Sequence, residues 1–143
     1  RSDDFKVYAV ADARFVPPIT AALSSSTFYW FWRAMFDGYH CGKDNIQSFP
    51  FNPGQMSSNV SQKLNNLSDS LTESLKANAQ RKTVRYRGTG IVEYDEFNVK
   101  ASRTIVDSID VVLSEHYGFP SDISDFVVNY DIKYRMGGAD EDE

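Results

Sequence analysis

The stretch "DGYHCGKD", residues 37 to 44, carries a tyrosine, a histidine and a lysine on a turn flanked by glycines. Tyr39, His40 and Lys43 together offer stacking, hydrogen bonding and positive charge, the means by which a loop on a rigid element recognises a polar ligand. A second group is purely basic. Lys76, Arg81, Lys82, Arg85 and Arg87 fall within twelve residues that contain no acid, and cations at that density neutralise phosphates. Other candidates are weaker. Cys41 beside His40 has the atoms of a thiolate and its base, but adjacent loop residues rarely face one another and no orienting acid is evident. His40, Cys41 and His116 lack zinc-like spacing, so no metal site is expected. Asp131 and Lys133 have the Asp-x-Lys spacing of a metal-dependent nuclease, yet two residues apart on a helix their side chains diverge by about 200°. A solvated helix end is the plainer reading. No catalytic constellation emerges.

The elements that must position these groups are readable from spacing. Val16 to about Phe36 reads as helix, bent near Ser24 to Ser26, with Pro17 and Pro18 in the first turn and a serine capping the second segment. Within "TFYWFWRAMF", Phe28, Trp32 and Met35 recur at helical spacing beside Phe31, which predicts deep burial of an almost wholly apolar helix. Gly38 is its expected C-terminal stop. After a loop in which Asp44 caps a single turn, "FNPG" at 51 to 54 is turn chemistry. Val60, Leu64, Leu67, Leu71, Leu75 and Ala79 then mark one face of an amphipathic helix from Ser57 to about Arg81, roughly 36 Å long. "KTVRYRG" and "GIVEY" alternate as two short strands of a hairpin turned by Gly88 and Gly90. Two more helices follow, one from Ser102 to Tyr117 and one capped by Ser121 that holds Ile123, Phe126, Val127 and Tyr130. The class expected is α+β, mainly helical, with antiparallel helices including one long amphipathic helix, and a small β-hairpin.

Composition bounds the partners. The longest strongly apolar run, from Phe28 to Ala34, contains Arg33 and is far short of the roughly 20 residues that cross a bilayer, so no membrane partner is expected. The single cysteine and the lack of a signal-peptide succession suggest a reducing, cytoplasmic setting. The net charge of −5 argues against coating nucleic acid by bulk attraction, but four of the acids, Asp140 to Glu143, form a terminal run. Without them the chain carries about −1. One domain over residues 1–139 with an acidic tail at 140–143 is the expected organisation, and the start on Arg1 suggests the C-terminal part of a longer protein.

Three stretches together resemble a known family. "ALSSSTFYWFWRAMFDGYHCGKDNIQSFPF", "YRGTGIVEYDEFNVKASRTIVDSIDVVLSEHYGF" and "DFVVNYDIKYRMG" are similar, in order and wording, to the C-terminal region of adenine-specific DNA methyltransferases of restriction-modification systems, including forms that combine methylation with cleavage. The likeness spans about residues 20 to 137. It implies an upstream catalytic domain of the same chain that binds S-adenosylmethionine and methylates a flipped adenine, while this segment recognises and clamps double-stranded DNA. The Asn-Pro-Pro-Tyr-type motif of that chemistry is not matched by "FNPG", which lacks the second proline and the aromatic, so the segment alone is expected to carry no cofactor and no methylation activity. The DNA-contacting residues expected are Tyr39, His40, Lys43, Arg81, Lys82, Arg85 and Arg87. Asn45, between Asp44 and Ile46, departs from the family pattern and is expected to loosen the helix cap there. The competing expectation is a helical module that contacts other subunits through the Ser57 to Arg81 helix without touching bases. Salt dependence separates the two.

Overall fold

Leucines and valines three and four apart can be kept from water only if a neighbour covers their stripe, and the fold is arranged around one such helix. The computed structural model describes residues 7–88 and 90–136, so the expected acidic tail at 140–143 lies outside the described residues. In chain order the helices are α1 Val16–Leu23, α2 Ser26–Met35, α3 Lys43–Ser48 and α4 Ser58–Ala77, then strands β1 Gln80–Tyr86 and β2 Gly90–Glu96, then α5 Arg103–Tyr117, α6 Ser121–Asn129 and α7 Ile132–Met136. The chain is mainly helical α+β, with one long amphipathic helix and a two-stranded hairpin. α1 and α5 both pack on α4, while α2 and α6 pack on α5 and on each other.

On α4, Ser57 accepts the Val60 N–H and Asn78 closes the far end. The helix has 20 residues, about 30 Å, shorter than the spacing implied because the chain turns into β1 at Gln80. Val60, Leu64 and Leu71 are buried, and Leu67 and Leu75 pack at the edge of the same cluster. From α5, Val106, Ile109 and Leu113 complete the core, with Ala21 and Ala22 of α1 letting that helix approach closely. Gly118 ends α5 in the left-handed conformation, φ +67°.

One core residue is charged. Asp110 of α5 is fully buried and accepts the Ser26 and Thr27 N–H groups at 3.2 and 3.1 Å and the Thr27 hydroxyl at 3.1 Å. Those amides open α2 and have no partner within the helix, so a residue 84 positions away in sequence caps it, beside the local cap in which Ser25 Oγ accepts the Phe28 N–H at 3.0 Å. Burial pushes the Asp110 carboxyl above its ordinary value, against the pull of its donors.

The aromatic helix departs from expectation. Only Ser26, Thr27 and Phe28 of α2 are buried; Tyr29 to Trp32 are half-buried and Met35 is 65% exposed. Spacing identified a face but not how far its neighbours reach. The first turn lies against Asp110 of α5, whereas beyond it Phe31 is met by Phe36 and Phe49 of the following loop. The helix ends at Met35 and is capped by an extended Phe36, two residues before the expected stop at Gly38. On α6 the outcome is similar: Val127 is buried, while Ile123 and Phe126 remain 41% and 54% exposed.

Candidate nucleic-acid interface

The turn after α2 is held by an aspartate that spacing alone did not single out. Asp37 Oδ1 accepts the N–H groups of both Tyr39 and His40 at 2.9 Å, and its Oδ2 lies 2.8 Å from His40 Nδ1. The His40 ring, then the two amides, hold the Asp37 carboxyl well below the usual carboxylate range. An aspartate that accepts amides two and three residues ahead is Asx-turn chemistry, and Asp-Gly was the available signal. From the helix, Trp32 Nε1 donates to the His40 carbonyl at 2.9 Å. Arg33 Nη1 donates to the Gly38 carbonyl at 3.1 Å, and Gly38 has φ +67°, where a Cβ would stand 2.5 Å from Arg33 Nη1.

Arg33 is itself steadied from the far end of the chain. Asp131, between α6 and α7, lies 3.4 Å from Arg33 Nε and accepts from the Tyr29 hydroxyl at 3.4 Å. It is the one non-glycine residue with positive φ, 51°, among the described residues. Of the expected solvated helix end, Asp131 does stand where α7 begins and Lys133 is exposed, but Asp131 is half-buried and faces α2.

With its backbone tied down, the turn presents its side chains outward. Tyr39 is 83% exposed and meets the His40 ring edge-on at 4.7 Å; His40 and Lys43 are exposed. Lys43 opens α3, whose cap differs from the one expected. Asn45 Oδ1 accepts the Gly42 N–H at 2.7 Å, so the residue expected to loosen the cap is the one that makes it, while Asp44 only lends its charge to the first turn.

The second group rides on the hairpin. The register pairs Arg81 with Asp95, Lys82 with Tyr94, Val84 with Val92 and Tyr86 with Gly90. One face thus carries Lys82, Val84, Tyr86, Val92 and Tyr94, and the other Arg81, Thr83, Arg85, Ile91, Glu93 and Asp95. All of β2 is exposed. The basic run is not uniformly free: Arg81 bonds Asp95 at 3.0 Å and Glu93 at 3.3 Å, and Lys82 reaches Glu96 at 3.4 Å. Asp95, then Glu93, raise the Arg81 guanidinium above its ordinary value. Arg85 and Arg87 are exposed and have no ion pair among the described residues. The loop group and the hairpin group are thus two separate patches, the first positioned by α2, the second by the ladder.

Among the described residues no three His, Cys, Asp or Glu side chains gather as a metal site would require, and no helix is long and apolar enough to cross a membrane. Comparison with family models, with characterised proteins and with solved structures finds no match to this chain.

Proposed function

We propose that the chain is the DNA-recognition and clamping part of an adenine-specific DNA methyltransferase of a restriction-modification system, in which S-adenosylmethionine and the methyl transfer belong to an upstream catalytic domain. The observation that carries this reading is the exposed hairpin with Arg85 and Arg87 in no ion pair among the described residues, in a chain whose other patch is an outward-facing Tyr-His-Lys turn on a fixed backbone. The three-part sequence likeness supports the same assignment. A two-stranded ribbon is one of the shapes a major groove admits, and exposed cations beside it reach phosphates.

Less supports the competing reading. Leu64 and Leu71 of α4 are buried in this domain's own core, so most of that stripe is already covered from within.

The test is a fluorescence-anisotropy titration of duplex DNA over a range of salt. Arg85, Arg87 and Lys43 contacting phosphates give a log–log slope of about −3, and replacing both hairpin arginines by Gln reduces it by about 2. Absence of duplex binding, or a flat salt dependence, overturns the assignment.

A further inference from the structure

Between the Tyr39 turn and the root of the hairpin the surface is hollow. A cavity of about 390 Å³ is walled by Phe28, Tyr29 and Trp32 of α2, with Cys41 on the side of the turn, Val99 on the side of the hairpin and Arg135 of α7. Its size falls in the range of small-ligand sites, roughly 300–1,000 Å³, and its lining is their usual kind, apolar and aromatic with few polar groups. Val99 stands three residues beyond β2 and Cys41 directly follows His40, so the cavity adjoins both patches described above.

The polar groups in it narrow the ligand. Trp32 Nε1 is committed to the His40 carbonyl, which fixes that ring. The Ser25 hydroxyl is committed to the Ala22 carbonyl and the Phe28 N–H. Arg135 lies with its guanidinium 4.9 Å from the Tyr29 ring centroid, donates from Nη2 to Ser26 Oγ at 2.7 Å and from Nη1 to the Val128 carbonyl at 3.5 Å. Its Nε–H has no partner among the described residues. Two aromatic walls and a stacked cation with a donor to spare suit a flat ring that carries acceptor atoms. An aliphatic chain would leave the Arg135 donor unmet, and a bare anion would gain nothing from the rings.

We propose that this cavity receives one unstacked nucleobase of the bound DNA, packed against the aromatic residues of α2 beside Arg135. The proposal rests on the DNA-binding reading above, and concerns a site apart from the methyl transfer, which that reading assigns to another domain. Base–aromatic stacking tolerates any base because every base has a π-face, so the site favours an extrahelical base over a paired one without choosing its identity.

The experiment compares three duplexes of about 20 base pairs on the 143-residue chain: fully paired, with one bulged fluorescent base analogue, and with one bulged abasic site. The bulged base is expected to bind about tenfold more tightly than the paired duplex, equivalent to about 1.4 kcal/mol, with its emission quenched, while the abasic bulge matches the paired duplex. Tyr29→Leu removes the ring on which Arg135 rests, and Val99→Trp fills the cavity from the side of the hairpin; each, verified as folded by circular dichroism, brings the ratio to about one. An abasic bulge bound as tightly as the bulged base, a wild-type ratio near one, or a preference that survives in either folded variant overturns the cavity assignment while leaving DNA binding intact. Failure to bind any of the three duplexes overturns the DNA reading itself, and the cavity with it.

Discussion

α4 and the hairpin that follows it are neighbours in the chain and opposites in construction. On α4 the apolar residues turn inward and the polar ones cover them, so its position is dictated by burial: Leu64 is shut off from solvent entirely. On the hairpin, Tyr86, Ile91, Val92 and Tyr94 are 37 to 66% exposed, and the two strands are held by their ladder and by ion pairs across it. The difference separates what the molecule needs in order to fold from what it has available for a partner. An element that the core does not require can be altered without unfolding the rest, and ranking substitutions by their effect on stability tests that division.

The largest effect belongs to the core. Leu64→Ala is expected to cost about 2–5 kcal/mol, read as a fall in the urea midpoint, because the side chain is fully buried on α4, against which α1 and α5 both pack, and the space it leaves cannot fully collapse. An effect this large from Val92→Ala on the hairpin would break the comparison. Next comes Asp110→Ala, which strands the buried amides of Ser26 and Thr27 at about 1–3 kcal/mol for the loss.

The two aspartates that brace α2 and its turn also have opposite pH signatures. Asp110 is raised by burial, so the folded chain keeps that proton to higher pH than the unfolded chain, whose carboxyl titrates near 3.8. Its contribution falls as pH rises through 3.8 and levels off above the folded value. Asp37 is lowered by His40 and by two amides, so its contribution is present above 3.8 and is lost as pH falls through that value toward the folded one. Melting temperatures taken from pH ~7 to pH ~3 should show wild type gaining on Asp110→Asn and losing ground to Asp37→Asn as acid is added. Parallel trends for the two variants would show that one sign is wrong.

How much of this was legible in the sequence follows the same division. The α4 stripe, a serine cap ahead of α2 and the hairpin turn are local, and their spacing and residue types announce them. The depth of burial on α2 is not local: Met35 sits at the right period yet stays 65% exposed. Asp110 hides for the converse reason, being a charge among apolar neighbours on α5 whose partners are amides distant in sequence. In the basic run the cations were plain, but their neutralisation by Glu93, Asp95 and Glu96 depends on strand register, which decides who faces whom. Asp37 was legible in type and missed in role.

A smaller effect tests the turn. Gly38→Ala puts a side chain into a left-handed backbone and within 2.5 Å of the Arg33 guanidinium that holds the turn. The strain is expected to be about 1–2 kcal/mol. Because the far end of Arg33 can swing aside, part of that cost should appear as loosening of the Tyr39 and His40 amides, measured as faster hydrogen exchange there, with the α4 and α5 amides unchanged. Uniform acceleration would mean that the turn and the core unfold together.

The smallest effect on stability is expected on the hairpin, where it sharpens the comparison most. Arg81 is exposed and always charged near neutrality, so its bonds to Asp95 and Glu93 are screened by water and salt, and Arg81→Gln should leave the thermal melt unchanged within error. Its effect on DNA affinity should be different in kind from that of Arg85→Gln. Arg85 has no acidic partner among the described residues, and losing it removes a phosphate contact, lowering the salt slope by about one. Arg81 is engaged already, so its loss uncovers two acids and weakens affinity by repulsion, while the number of counterions released, and hence the slope, stays nearly the same. Glu93→Gln together with Asp95→Asn should do the reverse, freeing Arg81 to raise both affinity and slope. If Arg81→Gln and Arg85→Gln lower the slope equally, Arg81 must leave its acids when DNA arrives, and the line drawn between paired and free cations along β1 does not hold in the complex.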